Sequence, residues 1–333
     1  MDRRQLLHIT ASAALAAEAP SIRVALVSEP TGDHLSHYRR VAQCKGVAEF
    51  RERSDTRALM RELRPQLVVV SLEPHRMPAA VEAAVEAGAH VVVEKPGCAT
   101  LDAFEAVARK AESAGRQVML AMATRLDPAA IQARELIRSG AMGRGYGADL
   151  VWVADQTRLK APAYHRSWKS SKKLGGGGKL IFHGIHYIDL LHHMTGARVT
   201  QICGFTRNVG GQPIEVEDAA VVSMVLSNGM VATLNTGYYL DRGYANSISF
   251  WGSEGWFRFE PRNEHSLTWH TRTADRKLPA ESGPSVYDRM LQAAVDFARG
   301  AAPPFMTTAE SVAALRTVFA AYRAVDSGVA QRV

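Results

Sequence analysis

Between Ser21 and Met122, short runs of branched apolar residues alternate with stretches of helical period, and no other feature narrows the available folds so far. Residues 22–27, 67–72 and 90–93 read as strands buried on both faces. Shorter strands are predicted over 47–50 and 117–122. Helices fill the intervals: 33–43, 55–63 ending at Pro65, 78–87 closed by Gly88, and one capped by Thr100 that runs to Ala114. Such alternation implies right-handed crossovers and a parallel sheet, a Rossmann-type layer over residues 21–124.

From residue 125 the pattern changes. A long strand is predicted over 146–155. Strands at 218–226 and 230–238 flank Asn228-Gly229, a two-residue hairpin signal, and strands at 247–251 and 256–260 flank Gly252-Ser253-Glu254-Gly255. A further strand is predicted at 267–273. Two helices close the chain, 286–299 and 309–327, the second opened by a Thr307–Glu310 capping box. The fold class is therefore α/β: a Rossmann-type parallel domain, then an α/β domain (125–333) with a large, mostly antiparallel open sheet. The last helix is expected to pack back on the first domain. A chain of 333 residues that is 47% hydrophobic can bury two such cores.

Composition removes several classes. Charged residues make up 22%, which excludes a disordered or collagen-like chain, and no apolar run reaches the length of a membrane span. The net charge of +7 is spread without a basic stripe, so nucleic acid is not an expected partner. Cys44, Cys98 and Cys203 form no C-x-x-C pair, which argues against structural zinc and a disulfide scaffold. Residues 1–20 stand apart: Arg3-Arg4, a mildly apolar stretch and Ala14-Leu15-Ala16 have the layout of a twin-arginine export signal, which would place the protein in the periplasm. The alternative is a disordered or frayed N-terminus on a cytoplasmic enzyme.

Two stretches carry chemistry. In Val91-Val92-Val93-Glu94-Lys95-Pro96 a buried parallel strand ends in a carboxylate and an amine, and ligands of such sheets bind outside the strands' carboxyl ends. A lysine there can hold a substrate hydroxyl and steady the alkoxide that develops on oxidation. About 80 residues later, Gly176-Gly177-Gly178 precede Leu180, Gly184, His186 and Asp189-Leu190-Leu191. Glycines that open a helix leave bare N–H groups for a ligand. His183, His186 and Asp189 recur at helical spacing along one stripe, and a histidine suits proton exchange near neutrality. Metal ligation by that stripe is the less common outcome, and none is assigned. Upstream, Tyr164, Arg166 and Trp168 offer the aromatic and guanidinium groups that stack on and fork to sugars, or else a packing loop.

Taken with Arg125-Leu126-Asp127-Pro128, Gly140-Ala141-Met142-Gly143, Val216-Glu217-Asp218, Gly252-Ser253-Glu254-Gly255 and Thr308-Ala309-Glu310, these motifs resemble the Gfo/Idh/MocA family, in order and spacing, over residues 65–333. The resemblance implies hydride transfer between NAD or NADP and a secondary hydroxyl of a sugar or cyclitol, and assembly into homo-oligomers through the open sheet. It also implies that Lys95 and His186 act together at a carbohydrate substrate. Substrate contacts are then expected from His183, Asp189, Arg125, Tyr164, Arg166 and Trp168. Cofactor contacts are expected from Ser28, Thr31, Gly32, Ser71, Glu94, Lys95 and Pro96.

The chain departs from the family where the dinucleotide would bind. Ser28, Pro30 and Asp33 fall where the three glycines of G-x-G-x-x-G belong; Pro30 removes an N–H, and Glu29 and Asp33 set negative charge beside an anion. The stretch before Leu67 is short by a strand and a helix, and Glu49 and Glu52 are weak candidates for the acid that holds the ribose. Leu72-Glu73-Pro74 replaces the usual Thr-Pro-Asn. Phe182 stands where family members carry an Asp, and the neighbouring His183 would point about 100° away on an α-helix. Two other readings follow: a non-redox binding protein that has lost its dinucleotide, and an enzyme that retains its cofactor and cleaves glycosides.

Overall fold

A computed structural model describes residues 19–280 and 282–333, so nearly all of the predicted export signal lies outside the described residues. The first sheet is formed by β1 (Ile22–Ser28), β2 (Val47–Arg53), β3 (Leu67–Ser71), β4 (His90–Val93) and β5 (Val118–Leu120), all parallel, in the order β2-β1-β3-β4-β5. This is the five-stranded doubly wound order, one strand short of the six-stranded dinucleotide-binding order, in line with the short stretch before Leu67. The order reverses between β1 and β3, so the ligand crevice lies at their carboxyl ends. β1 and β3 to β5 are nearly all branched or large aliphatic residues because helices cover both of their faces.

The helices of this layer are α1 (Leu35–Tyr38), α2 (Thr56–Leu63), α3 (Met77–Glu86) and α4 (Leu101–Ser113). The helix expected over 33–43 is broken into α1 and a 3₁₀ turn, Arg39–Gln43. Its first turn has no side-chain cap, and His34 takes the left-handed conformation at φ 59°, uncommon for a residue with a Cβ. β2 runs three residues further than predicted. It is an edge strand, where alternating Glu and Arg suit solvent.

The second sheet comprises β6 (Gly145–Asp155), β7 (Val199–Arg207), β8 (Ala219–Leu226), β9 (Val231–Leu240), β10 (Tyr244–Gly252), β11 (Gly255–Phe259), β12 (His265–Thr271), β13 (Ala274–Pro279) and β14 (Gln331–Arg332). They lie in the order β13-β12-β11-β10-β6-β9-β8-β7-β14, and only β6 and β9 pair in parallel. One face buries Leu150, Ile202, Val222, Leu234, Phe250 and Phe257; the other leaves Tyr146, Phe205, Val231, Trp251 and Trp256 exposed.

Around the buried face lie α5 (Pro128–Arg138), α6 (Pro162–His165), α7 (Lys172–Gly175), α8 (Ile185–Thr195), α9 (Val286–Ala298) and α10 (Thr308–Ser327). The predicted capping box opens α10: Thr307 accepts from the Glu310 N–H and Glu310 accepts from that of Thr307. That helix returns to the first sheet and satisfies the edge of β5. Thr308 Oγ1 accepts from the Val118 N–H at 2.9 Å, Ser311 Oγ accepts from the Leu120 N–H at 3.2 Å, and Ser311 Oγ donates to the Val118 carbonyl at 3.0 Å. Among the described residues no helix is long and apolar enough to cross a membrane.

Candidate active site

The glycine run is shaped by Glu217 rather than by a ligand. The Glu217 carboxylate accepts from the N–H groups of Gly178 and Leu180 at 2.9 and 3.0 Å and from the Tyr322 hydroxyl at 2.7 Å. Its carbonyl accepts from the Lys179 N–H at 2.9 Å. A Cβ on Gly178 would stand 2.0 Å from that carbonyl oxygen, so only glycine fits. The donors expected to be bare are therefore spent on an internal carboxylate that fixes where the following helix begins.

That helix starts with a π-wound turn, Leu180–Gly184, and continues as α8. The wide turn places Phe182, His183 and His186 together on the wall of a cavity of about 360 Å³. His183 thus reaches the site despite the angle an α-helix would have given it. Opposite stands Lys95, at the carboxyl end of β4, joined to Pro96 by a cis peptide bond. Its Nζ donates to the Phe182 carbonyl at 3.1 Å and lies 3.7 Å from Glu94 Oε1. Trp152 and Tyr238 from β6 and β9 and Tyr164 of α6 complete this part of the wall.

The electrostatics suit proton exchange. His186 is half-buried, stacked on Trp152 with ring centroids 5.1 Å apart, and its Nδ1 has no hydrogen-bond partner. Burial, and then the Lys95 charge, hold its pKa well below the ordinary histidine value. His183, 3.5 Å from the Tyr238 hydroxyl, is lowered in the same way by burial, with Lys179 and Lys95 adding to it. Both imidazoles are therefore held neutral, each presenting an unprotonated ring nitrogen.

Four predicted substrate residues fall elsewhere. Arg125 and Asp189 are each 1% exposed and bind one another through two bonds of 2.7 and 2.8 Å, with Glu310 taking a third guanidinium donor at 3.0 Å. Two buried opposite charges saturate each other there, behind α8, and neither lines the cavity. Trp168 is buried with its ring edge-on to Phe182, and its indole N–H donates to the Thr31 carbonyl at 3.2 Å. Arg166 is exposed and does not line the cavity. His34, Arg158 and Arg262, which do line it, went unnoticed in the sequence because each sits in a turn with no motif around it.

The residues expected to contact the cofactor occupy the crevice ends of β1, β3 and β4. Two features match a dinucleotide. Glu52, at the end of β2, stands beside β1 and accepts from Ser28 Oγ at 2.6 Å, so an acid does close the second strand. Gly32, not position 33, performs the close approach of a dinucleotide glycine: a Cβ there would stand 2.4 Å from the Ser71 carbonyl oxygen. The rest does not fit. Glu52 is already gripped by Arg39 at 2.8 and 2.9 Å. Glu29 pairs with Arg76 beside the turn where phosphates would lie, Ser71 Oγ donates to the Asp33 carbonyl, and Lys169 holds the Asp33 carboxylate at 2.5 Å. Glu94 Oε2 is taken by the Tyr38 hydroxyl and by His34 Nδ1 at 3.0 Å. In this conformation the acids at the strand ends are paired with the chain's own side chains.

Residues 14–122 match the oxidoreductase family with an NAD-binding Rossmann fold, and residues 130–258 match the GFO/IDH/MocA C-terminal domain. The chain belongs to this Gfo/Idh/MocA family, whose cofactor is NAD or NADP. It is 32% identical over 155 residues to the dehydrogenase aclE of Aspergillus oryzae, an alignment covering 46% of this chain and 42% of that one. It is 27% identical over 257 residues to levoglucosan dehydrogenase of Pseudarthrobacter phenanthrenivorans, covering 67% and 63%. The chain thus spans about half to two thirds of the length of these relatives. An oxidoreductase domain protein from Kribbella flavida superposes with a TM-score of 0.83 at 22% identity, over 94% of this chain and 99% of the other. An inositol dehydrogenase homologue from Azotobacter vinelandii, solved with NAD+, gives 0.83 at 18% identity over 95% and 98%. At such identities the structures establish a shared fold.

Proposed function

We propose that this chain is an oxidoreductase acting on a secondary hydroxyl of a sugar or cyclitol. The reading rests on one observation: Lys95 of the first sheet and His186 of α8 face a single cavity. Lys95 holds the substrate oxygen and stabilises the charge that develops on it; His186, kept neutral by burial, takes the hydroxyl proton. His183 and Tyr164 offer further polar contacts to a polyol. The relatives named for levoglucosan and inositol point to the same substrate class. Turnover requires the crevice to open, with Tyr38 and His34 leaving Glu94.

The internally paired crevice favours a second reading, a carbohydrate-binding protein without redox activity. Fluorescence titration with NADH and NADPH separates the two: binding tighter than about 1 mM supports the oxidoreductase, and weaker binding of both overturns it in favour of the binder. The reading extends to assembly, with the exposed face bearing Tyr146, Trp251 and Trp256 closed by a second copy, for which light scattering should give a mass above the 36.3 kDa chain. It also extends to export, which N-terminal sequencing of the protein recovered from the periplasm would establish.

A further inference from the structure

The charge of the cavity is lopsided. Lys95, Arg158, Lys169 and Arg262 line it, against one lining carboxylate, Asp33, which Lys169 already neutralises. Glu94 lies behind Lys95, with Oε2 taken by Tyr38 and His34 and Oε1 3.7 Å from the Lys95 amine. Neither Arg158 nor Arg262 makes a salt bridge to a carboxylate among the described residues, although the Asp155 charge is felt at Arg158. Each guanidinium instead rests on a tyrosine of the wall: Arg262 is 4.0 Å from the Tyr244 ring centroid and Arg158 is 5.9 Å from that of Tyr238. These tyrosines sit at the facing ends of β9 and β10, so the two forks flank one side of the mouth. Deeper, Lys179 is fully buried, its amine 4.1 Å from the centroid of the same Tyr238 ring and without a hydrogen-bond partner. Burial, with Arg158 and Lys95 close by, pushes that amine down to about 6.

An arginine at a wet surface would ordinarily wander or pair with a nearby acid. Two arginines stacked on rigid rings, with their donors unspent, are instead held ready for a bidentate acceptor. A neutral polyol offers such a fork only uncharged and weaker acceptors. We infer that the ligand of this cavity is a monosaccharide-sized polyol carrying an anionic group, a carboxylate or a phosphate, with Arg158 and Arg262 as its clamp. The inference rests on the carbohydrate reading above and adds the charge. The hydroxyl end then lies toward Lys95 and His186, and the anion lies toward the mouth.

Calorimetric titration of the full chain at constant ionic strength tests it, with D-glucuronate, glucose 6-phosphate, D-glucose, myo-inositol and inorganic phosphate as probes. At least one sugar anion should bind about tenfold or more tighter than either neutral polyol. Preference for glucuronate assigns a carboxylate, and preference for the phosphate ester assigns a phosphate. In an Arg158→Gln, Arg262→Gln variant that preference should collapse toward unity; both side chains are exposed at the mouth, so the fold does not depend on them. Neutral polyols binding as tightly as the anions would overturn the charge inference and leave the carbohydrate reading intact. Inorganic phosphate binding as tightly as the sugar anions, or an unchanged preference in the variant, would also overturn it. Binding of no probe would overturn both.

Discussion

The crevice at the ends of β1 and β3 and the cavity in front of α8 lie on either side of Lys95, yet the chain has treated them in opposite ways. In the crevice the acids are met by the chain's own side chains: Glu29 by Arg76, Glu52 by Arg39 and Glu94 Oε2 by Tyr38 and His34. In the cavity the Nδ1 of His186 has no hydrogen-bond partner and the guanidiniums of Arg158 and Arg262 rest on tyrosine rings, while nearby the buried amine of Lys179 is also without a hydrogen-bond partner. Buried polar groups left unpaired are costly, and they persist where a ligand completes them. The contrast locates the preorganised part of the molecule on the substrate side and the part that must rearrange on the cofactor side.

The cavity keeps its shape because α8 is pinned from behind. Asp189→Ala would strip Arg125 of two bonds in a site 1% exposed, leaving only Glu310 to balance its charge. Breaking such a pair costs about 3–5 kcal/mol. Chemical denaturation should show that loss; a change within experimental error would mean that α8 is not held by this pair. Next in size is Lys95→Ala. If the pair across the cavity handles substrate, kcat/KM should fall about 10²–10³-fold with an unchanged circular dichroism spectrum. Undiminished turnover would remove Lys95 from the site and erase the asymmetry between the two regions.

A smaller effect probes the crevice itself. A His34→Ala, Tyr38→Phe variant frees Glu94 Oε2 and vacates the ends of β4 and β1. Removing about 1.4 kcal/mol of closure should tighten NADH binding about tenfold, read by fluorescence. Unaltered affinity would show that other contacts, such as Trp168 on Thr31, do the closing.

The same asymmetry explains what the sequence could convey. The parallel layer was legible because β1, β3 and β4 are unbroken branched runs, and the hairpins around Asn228 and Gly252 because their turn residues are diagnostic. β7 and β13 were missed: Thr200, Gln201 and Thr206 in one, and Arg276 and Lys277 in the other, present polar residues to solvent without the flanking signals of a strand. Lys95 and His186 were legible as motif positions. Arg125 and Asp189 carried the same motif weight, but their mutual saturation is a tertiary fact. Likewise, the glycine run announces a close approach without saying that Glu217, some 40 residues later, is what approaches. Nor could spacing reveal that Tyr38 reaches across the sheet to Glu94.

The last effect concerns acid. The helix that carries the site also carries most of the strongly perturbed histidines: burial pushes His192 and His193 down to about 3, and holds His183 and His186 well below the ordinary value. His90, on β4, is lowered to about 4 by burial and Arg116. In the unfolded chain all five titrate near 6.5. Between those limits the unfolded state binds more protons than the folded one, so stability rises with pH and is lost as pH falls below about 6.5. For the almost fully buried His192 the slope approaches about 1.4 kcal/mol per pH unit; the half-exposed rings contribute less. Urea denaturation between pH 7 and 4 should show this decline, and a sugar anion bound in the cavity should flatten its upper part, because an anion held by Arg158 offsets part of the positive charge that, with burial, opposes protonation of His183. A decline that such a ligand leaves unaltered would place the sensitive histidines behind the helix, at His192 and His193, and not on the wall that faces the substrate.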